Sequence, residues 1–250
     1  SGGRVTLVDA AGKEASVVSS VDGLRIVWSG FDDYCSGIRQ YRVRLLDGSG
    51  APIWTSTVDE GNRTGTGGIE LPATVDADMV TGGRYSVQMI ATSLAGMDGG
   101  VANSPPLTLD RTPPDMGAVT IEWPGHASAR RFASLAPGGR ICMPAAVPSA
   151  TLAWAGASDP QSGIVSFDVG VRPVVTMGPA MTLPASWEPM GSAYVRSKEL
   201  SAASIPLGGG LDVQFAVRGC NGVGLCNESA FSSGARRVEP PGGGSVYLHH

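Results

Sequence analysis

The sequence predicts an all-β protein made of two tandem antiparallel β-sandwiches joined by a short Pro-Pro linker, and three observations predict it. Short segments alternate apolar and polar residues, Gly and Pro punctuate those segments, and the first half of the chain recurs in the second. Gly (36) and Pro (18) make up about a fifth of the 250 residues, against a usual share of roughly 12%. Hydrophobic residues hold at 42%. That balance suits many short strands joined by turns.

The repeat is found by sliding the chain against itself. Ile26, Trp28, Gly30, Asp33, Ser36, Gly37, Ile38, Tyr41 and Val43 fall on Leu152, Trp154, Gly156, Asp159, Ser162, Gly163, Ile164, Phe167 and Val169, an offset of 126 (28 to 154). Gly83, Val87 and Gln88 fall on Gly209, Val213 and Gln214 at the same offset. After two inserted residues, Gly96-Met97 meets Gly224-Leu225. Each copy closes on a double proline, Pro113-Pro114 and Pro240-Pro241. Proline fixes φ and restricts its predecessor, so 112–115 reads as a stiff linker. The predicted modules are 1–111 and 116–241. Arg4-Val5-Thr6-Leu7 resembles Ala118-Val119-Thr120-Ile121, and the longer path from there to the second tryptophan places an insertion at about 123–150, between the first two strands. Residues 242–250 read as a tail ending in a tag remnant, and Ser1-Gly2-Gly3 as a cloning remnant.

Strands follow in order from period-2 alternation. Tyr41, Val43 and Leu45 alternate with Arg42 and Arg44, and Tyr85, Val87, Met89 and Ala91 with Ser86, Gln88 and Thr92. Phe167, Val169 and Val171, then Leu211, Val213, Phe215 and Val217, keep that parity in the second module. Asp47-Gly48-Ser49-Gly50, Gly65-Thr66-Gly67-Gly68 and Asn221-Gly222 mark turns between them. Trp28 and Trp154 sit on inward strand faces and read as core.

A module of about 110 to 130 residues, with an early Trp and a late alternating strand, resembles a fibronectin type III or immunoglobulin-like domain. Trp28 and Tyr41 match the inward Trp and following Tyr of the former, and Met79 to Tyr85 resembles its tyrosine corner. Leu211 stands where the second module would carry that tyrosine, so the hydroxyl's hydrogen bond is expected to be missing there. Trp28 to Ile38, Trp154 to Ile164, Cys220 to Cys226 and Asp110 to Pro114 resemble a repeat of large extracellular surface proteins of algal or invertebrate type. The resemblance implies a cell-surface or secreted setting and names no ligand.

Cys220 and Cys226 flank a turn-forming loop, and a disulfide there would clamp it. Cys35, between strands of the first module, and Cys142, in the insertion, are left to bridge each other, reach outside the chain or stay free. Asn62-Arg63-Thr64 and Asn227-Glu228-Ser229 are N-glycosylation sequons in expected loops. Together with a clamped loop they favour the secretory route.

Composition narrows the function. The net charge is −4, and the paired basics are Arg130-Arg131 and Arg236-Arg237, so the chain offers no positive stripe for nucleic acid. No apolar run approaches the roughly 20 residues needed to span a bilayer. Away from the tail, His126 is the sole histidine, which leaves nucleophile–base pairs and zinc sites without their usual groups. The chain reads as no enzyme and carries no cofactor motif. Asp32-Asp33 and Asp159 each precede Ser-Gly-Ile, where an Asx-type turn cap explains the recurrence. A calcium ion held by Asp110, Asp115 and a loop carboxylate is the functional alternative. Arg39, Arg42 and Arg44 form an outward basic strip, read as a solvated face.

The expected role is a non-catalytic extracellular segment of a larger protein, acting in adhesion and recognition or as a spacer. Its partners would be proteins or glycans of a cell surface or matrix, or neighbouring modules. Binding would use loops at a sandwich end: Asp32, Asp33 and Tyr34 in one module, Asn221 and Leu225 in the other. The alternative is a carbohydrate-binding accessory segment of a secreted hydrolase, for which Trp54, Trp123 and Trp187 are the candidate stacking rings.

Overall fold

The structure is a computed structural model that describes residues 3–59, 65–123, 130–131, 140–175, 181–205, 211–232 and 234–238. It divides into two compact units, Ser1–Thr112 and Pro113–His250. Asn62, parts of the 123–150 insertion and the tail lie outside the described residues.

The first unit contains β1 (Arg4–Val8), β2 (Val17–Val18), β3 (Arg25–Ser29), β4 (Ile38–Leu46), β5 (Pro52–Asp59), β6 (Gly67–Glu70), β7 (Arg84–Ser93), β8 (Asp98–Asn103) and β9 (Leu107–Leu109). One sheet has the order β1-β3-β6, and the other runs β2-β9-β7-β4-β5 with β8 added on β7. Alternation explains the layering: in β4, Ile38, Tyr41, Val43 and Leu45 are buried, while Arg39 is exposed and Arg42 and Arg44 are half-buried. The register shift between Ile38 and Gln40 restores the parity that an odd spacing from Ile38 to Tyr41 would break. Trp28 from one sheet meets Tyr41 from the other with ring centroids 5.1 Å apart. Tyr85 ties its corner, accepting the amide of Val80 at 2.7 Å.

The second unit contains β10 (Ala118–Glu122), β11 (Arg130–Arg131), β12 (Arg140–Pro144), β13 (Ser149–Ala155), β14 (Ile164–Val175), β15 (Met181–Thr182), β16 (Ser186–Pro189), β17 (Ser197–Ser201), β18 (Leu211–Asn221), β19 (Cys226–Glu228) and β20 (Gly234–Val238). Its sheets are β11-β10-β13-β17 and β12-β20-β18-β14-β15, with β16 on β14 and β19 on β18. Val119 faces Trp154 in register as Val5 faces Trp28, and Trp154 meets Phe167 at 5.6 Å. β12 runs parallel to β20 as β2 runs parallel to β9. The extra residues therefore lengthen the path from β10 to that parallel edge strand.

Leu211 departs from its expected inward parity: it is exposed at the start of β18, and the counterpart of Tyr85 is Val213 rather than Leu211, because Val43 faces Met89 as Val169 faces Val217. Asp212 is buried instead and pairs with Arg236 across the sheet. A buried carboxylate needs such a partner, since desolvation otherwise exceeds the gain.

Candidate functional site

Two loops meet at one end of the first unit. The β3–β4 loop turns on Asp33, whose carboxylate accepts the Ser36 hydroxyl at 2.7 Å and the amides of Cys35 and Ser36 at 3.0 and 3.2 Å. Those bonds, the Ser36 hydroxyl foremost, hold its carboxyl below the usual Asp range. Gly37 closes the turn at φ +77°, a conformation that favours glycine. The β7–β8 hairpin is docked on it by the Leu94 amide, which donates to the Gly37 carbonyl at 3.0 Å.

Between these loops lies a cavity of about 450 Å³ lined by Phe31, Ile38, Ala91 and Met97 as apolar wall and by Asp32, Asp33 and Asp98 as acidic rim, with Tyr34, Cys35, Ser93, Gly99 and Gly100 completing it. Asp98 is held ionised by the Thr92 hydroxyl at 2.7 Å and by Arg42 at 2.6 Å. Tyr34 stands 94% exposed at the rim. Among the binding residues expected from sequence, Asp32, Asp33 and Tyr34 are thus brought together at one opening. The hairpin half of the lining, Met97 to Gly100, was overlooked; its match to the loop around Leu225 was the available signal.

The second unit makes the same turn and closes it. Burial opposes ionisation of Asp159, but the Ser162 amide, the Asn221 side chain and the amides of Gln161 and Gly163 outweigh it and hold the carboxyl low. Asn221 is 1% exposed. It donates to Asp159 at 2.9 Å and accepts the amides of Val223 and Leu225 at 3.2 and 2.8 Å. Cys220 and Cys226 form a disulfide across directly paired positions of β18 and β19. Asn221 is thereby an internal lock rather than a ligand-facing residue, and Leu225 is half-buried.

Cys35 and Cys142 are free and exposed, one of the three alternatives that the sequence left open for them. Asn227 lies on β19 rather than in a loop, because it pairs with Gly219, and its amide nitrogen donates to the Pro114 carbonyl at 2.9 Å. Asp110 is buried and accepts the Thr112 amide and hydroxyl. Asp115 accepts the Gly117 amide at 3.1 Å. Both act as turn caps, and among the described residues no group of three or more His, Cys, Asp or Glu is placed to hold a metal.

The stacking rings fare poorly as sugar platforms. Trp123 is 7% exposed within the second core, and Trp54 packs half-buried on the first. Trp187 is half-buried, with Arg218 over its ring at 4.5 Å and Phe231 at 6.2 Å. Arg172 in turn covers Phe231 at 3.8 Å. This stack is not legible in the sequence, because Phe231 lies outside the strand alternation.

No protein-family model matches the chain, and no curated protein sequence does either. Each unit is a β-sandwich of two sheets, and solved structures are similar to the chain at low identity. The chain resembles three fibronectin domains of chicken contactin at 14% identity, covering 96% of this chain and 66% of that one, with a TM-score of 0.33. It resembles a 1.5-MDa bacterial ice-binding adhesin at 13% identity, 95% and 64% coverage and a TM-score of 0.46. It also resembles the fibronectin(III)-like modules of Clostridium thermocellum CbhA at 15% identity, 98% coverage of both chains and a TM-score of 0.28. The chain spans just under two thirds of the first two structures. Among the described residues, no helix is long and apolar enough to cross a membrane.

Proposed function

We propose that this chain is a non-catalytic extracellular segment of a larger surface or matrix protein that recognises a partner through the loop end of its first unit. The observation that carries the reading is the cavity of about 450 Å³ between the Asp33 turn and the β7–β8 hairpin, with an apolar wall, an acidic rim and Tyr34 standing free beside it. Large exposed aromatics at a concave site are what recognition surfaces use. A disulfide in the second unit supports an oxidising compartment, as does the sequon at Asn227, with Asn62 as a second candidate glycan site. The joint between the two units is proposed to lie at Thr112–Pro113, since Pro114 and Asp115 are held within the second unit.

The test is chromatography of the purified protein on cells and matrix glycans at tens of micromolar, beside non-reducing peptide mapping after secretory expression. Binding that falls when Tyr34 is replaced by Ala, with Cys220 linked to Cys226 and glycan at Asn227 or Asn62, supports the reading. Undiminished binding in that variant moves recognition elsewhere. Four free thiols with bare asparagines would remove the extracellular assignment.

A further inference from the structure

The closed end of the second unit is built around a dipeptide that degrades when it is exposed. Of the four asparagines in the chain, Asn221 alone precedes a glycine. An Asn-Gly pair breaks down when the glycine's backbone nitrogen attacks the side-chain carbonyl carbon of the asparagine. Glycine leaves that approach unhindered, because it has no Cβ and its backbone turns freely.

Packing demands both residues. Gly222 lies against the Asp159 turn: a Cβ there would be 2.8 Å from the Ser162 carbonyl oxygen, and its amide donates to the Gly163 carbonyl at 3.0 Å. A larger residue would push the two loops apart. Asn221 must donate to the Asp159 carboxylate while it accepts the amides of Val223 and Leu225. An ionised aspartate could accept those amides but has no N–H for Asp159. The matching hairpin of the first unit carries Ser93-Leu94 (221 − 128 and 222 − 128), at the offset that also takes Val217 to Met89. Its turn is free of this liability.

The same contacts hold the pair inert. Asn221 is 1% exposed and is the last residue of β18. Ring closure needs the Gly222 nitrogen to swing over the side-chain carbon, which requires its bond to Gly163 and the side-chain bonds to Asp159, Val223 and Leu225 to break together. The disulfide between Cys220 and Cys226 brackets the loop and opposes that opening. We propose that Asn221-Gly222 is a latent self-modification site, silent while the second unit's end is shut and converted irreversibly once it opens, with the disulfide setting how often it opens. In the open loop the Gly222 nitrogen bonds to Cγ of Asn221, the Cγ–Nδ2 bond breaks, and ammonia leaves with the displaced proton. Water then opens the cyclic imide at one of its two carbonyls, giving aspartate or isoaspartate at position 221 with no change of oxidation state. Aspartate sets a second carboxylate against Asp159, where like charges disfavour the contact. Isoaspartate adds a backbone carbon that the register at the end of β18 has no place for. Neither product can remake the lock, so the conversion runs one way.

The test incubates the full 250-residue chain in mildly alkaline buffer, as the oxidised native protein, with dithiothreitol, and with dithiothreitol in urea. Peptide mapping by mass spectrometry then reads aspartate and isoaspartate at each asparagine over time. In urea, position 221 should convert fastest of the four. In the oxidised native protein its rate should fall at least about tenfold, because the reaction follows the population of the locally opened form. Dithiothreitol alone should give a rate between the two. Protein aged in urea, then refolded and reoxidised, should show a lower urea midpoint for the second unit in proportion to the conversion at 221, with the first unit's transition unchanged. Equal rates in native and unfolded protein, a native rate that reduction leaves unmoved, or full recovery of the midpoint after conversion would each overturn the proposal.

Discussion

The two units make the same Asp-led turn at the same end, yet one end is open and the other is shut. Asp33 spends its carboxylate on its own loop, on Ser36 and Cys35. Asp159 reaches further and takes the side chain of Asn221 from the opposite hairpin. A disulfide and the Pro114–Met116 segment, whose Pro114 and Met116 are buried, then finish the closure of the second unit. The first unit has one backbone bond between the same loops, Leu94 to Gly37, and a cavity beside it. A shared turn is thus a framework, and the partner supplied by the facing hairpin decides whether it becomes a lock or leaves a cavity beside it. Loops positioned by a rigid scaffold are where such divergence is tolerated.

Four measurements would break or sharpen this comparison. The largest effect is expected where the units are alike. Trp28→Ala and Trp154→Ala should each cost about 3–5 kcal/mol in urea denaturation, because both indoles are buried against an aromatic of the facing sheet. A cost under about 1 kcal/mol for either would contradict the shared core.

Next comes the clamp. Replacing Cys220 and Cys226 by Ser should lower the stability of the second unit by at most about 2.4 kcal/mol on the loop-entropy model, and dithiothreitol should reproduce it. A shift in the first unit's transition instead would be inconsistent with a local clamp.

Asn221→Asp tests the lock through its pH dependence. In the wild type the folded Asp159 titrates below its unfolded value near 3.9. Its contribution to stability is therefore present above about pH 4 and lost as pH falls through the folded value. The variant opposes two carboxylates, which should cost roughly 2 kcal/mol at pH 7 and raise one of their pKa values, so that mild acid recovers part of the loss. Urea midpoints between pH 3 and 7 should show opposite slopes in the two proteins; parallel slopes would rule out the Asp159–Asn221 contact.

The smallest effect concerns the turn itself. Gly37→Ala and Gly163→Ala, at φ +77° and +71°, should each cost about 1 kcal/mol. Gly37→Ala should also shift the β7–β8 hairpin amides in an NMR spectrum, because the Leu94 amide hangs on the Gly37 carbonyl. Unmoved hairpin amides would mean the two loops are uncoupled.

Much of the framework was legible before any coordinates. The 126-residue offset aligned Trp28 with Trp154, Asp33 with Asp159 and Gly37 with Gly163, and period-2 alternation placed β4, β7, β14 and β18, since side chains in a strand must alternate faces. Alternation failed at Leu211, which lies exposed at the start of β18, while Asp212 beside it is buried and paired with Arg236. It also misplaced the rings: Trp123, Trp54 and Trp187 lay outside the repeat, and nothing local told which face each would take.

The sequence by itself determined the all-β character, the doubling and the Asp-x-x-Ser-Gly-Ile turn, because these depend on local periodicity, turn chemistry and self-similarity. Only the tertiary structure decided that Asn221 locks on Asp159 and that Asp32, Ser93 and Gly99 share one cavity. Each of those brings together residues far apart in the chain, and sandwich packing rather than local preference sets which of them meet.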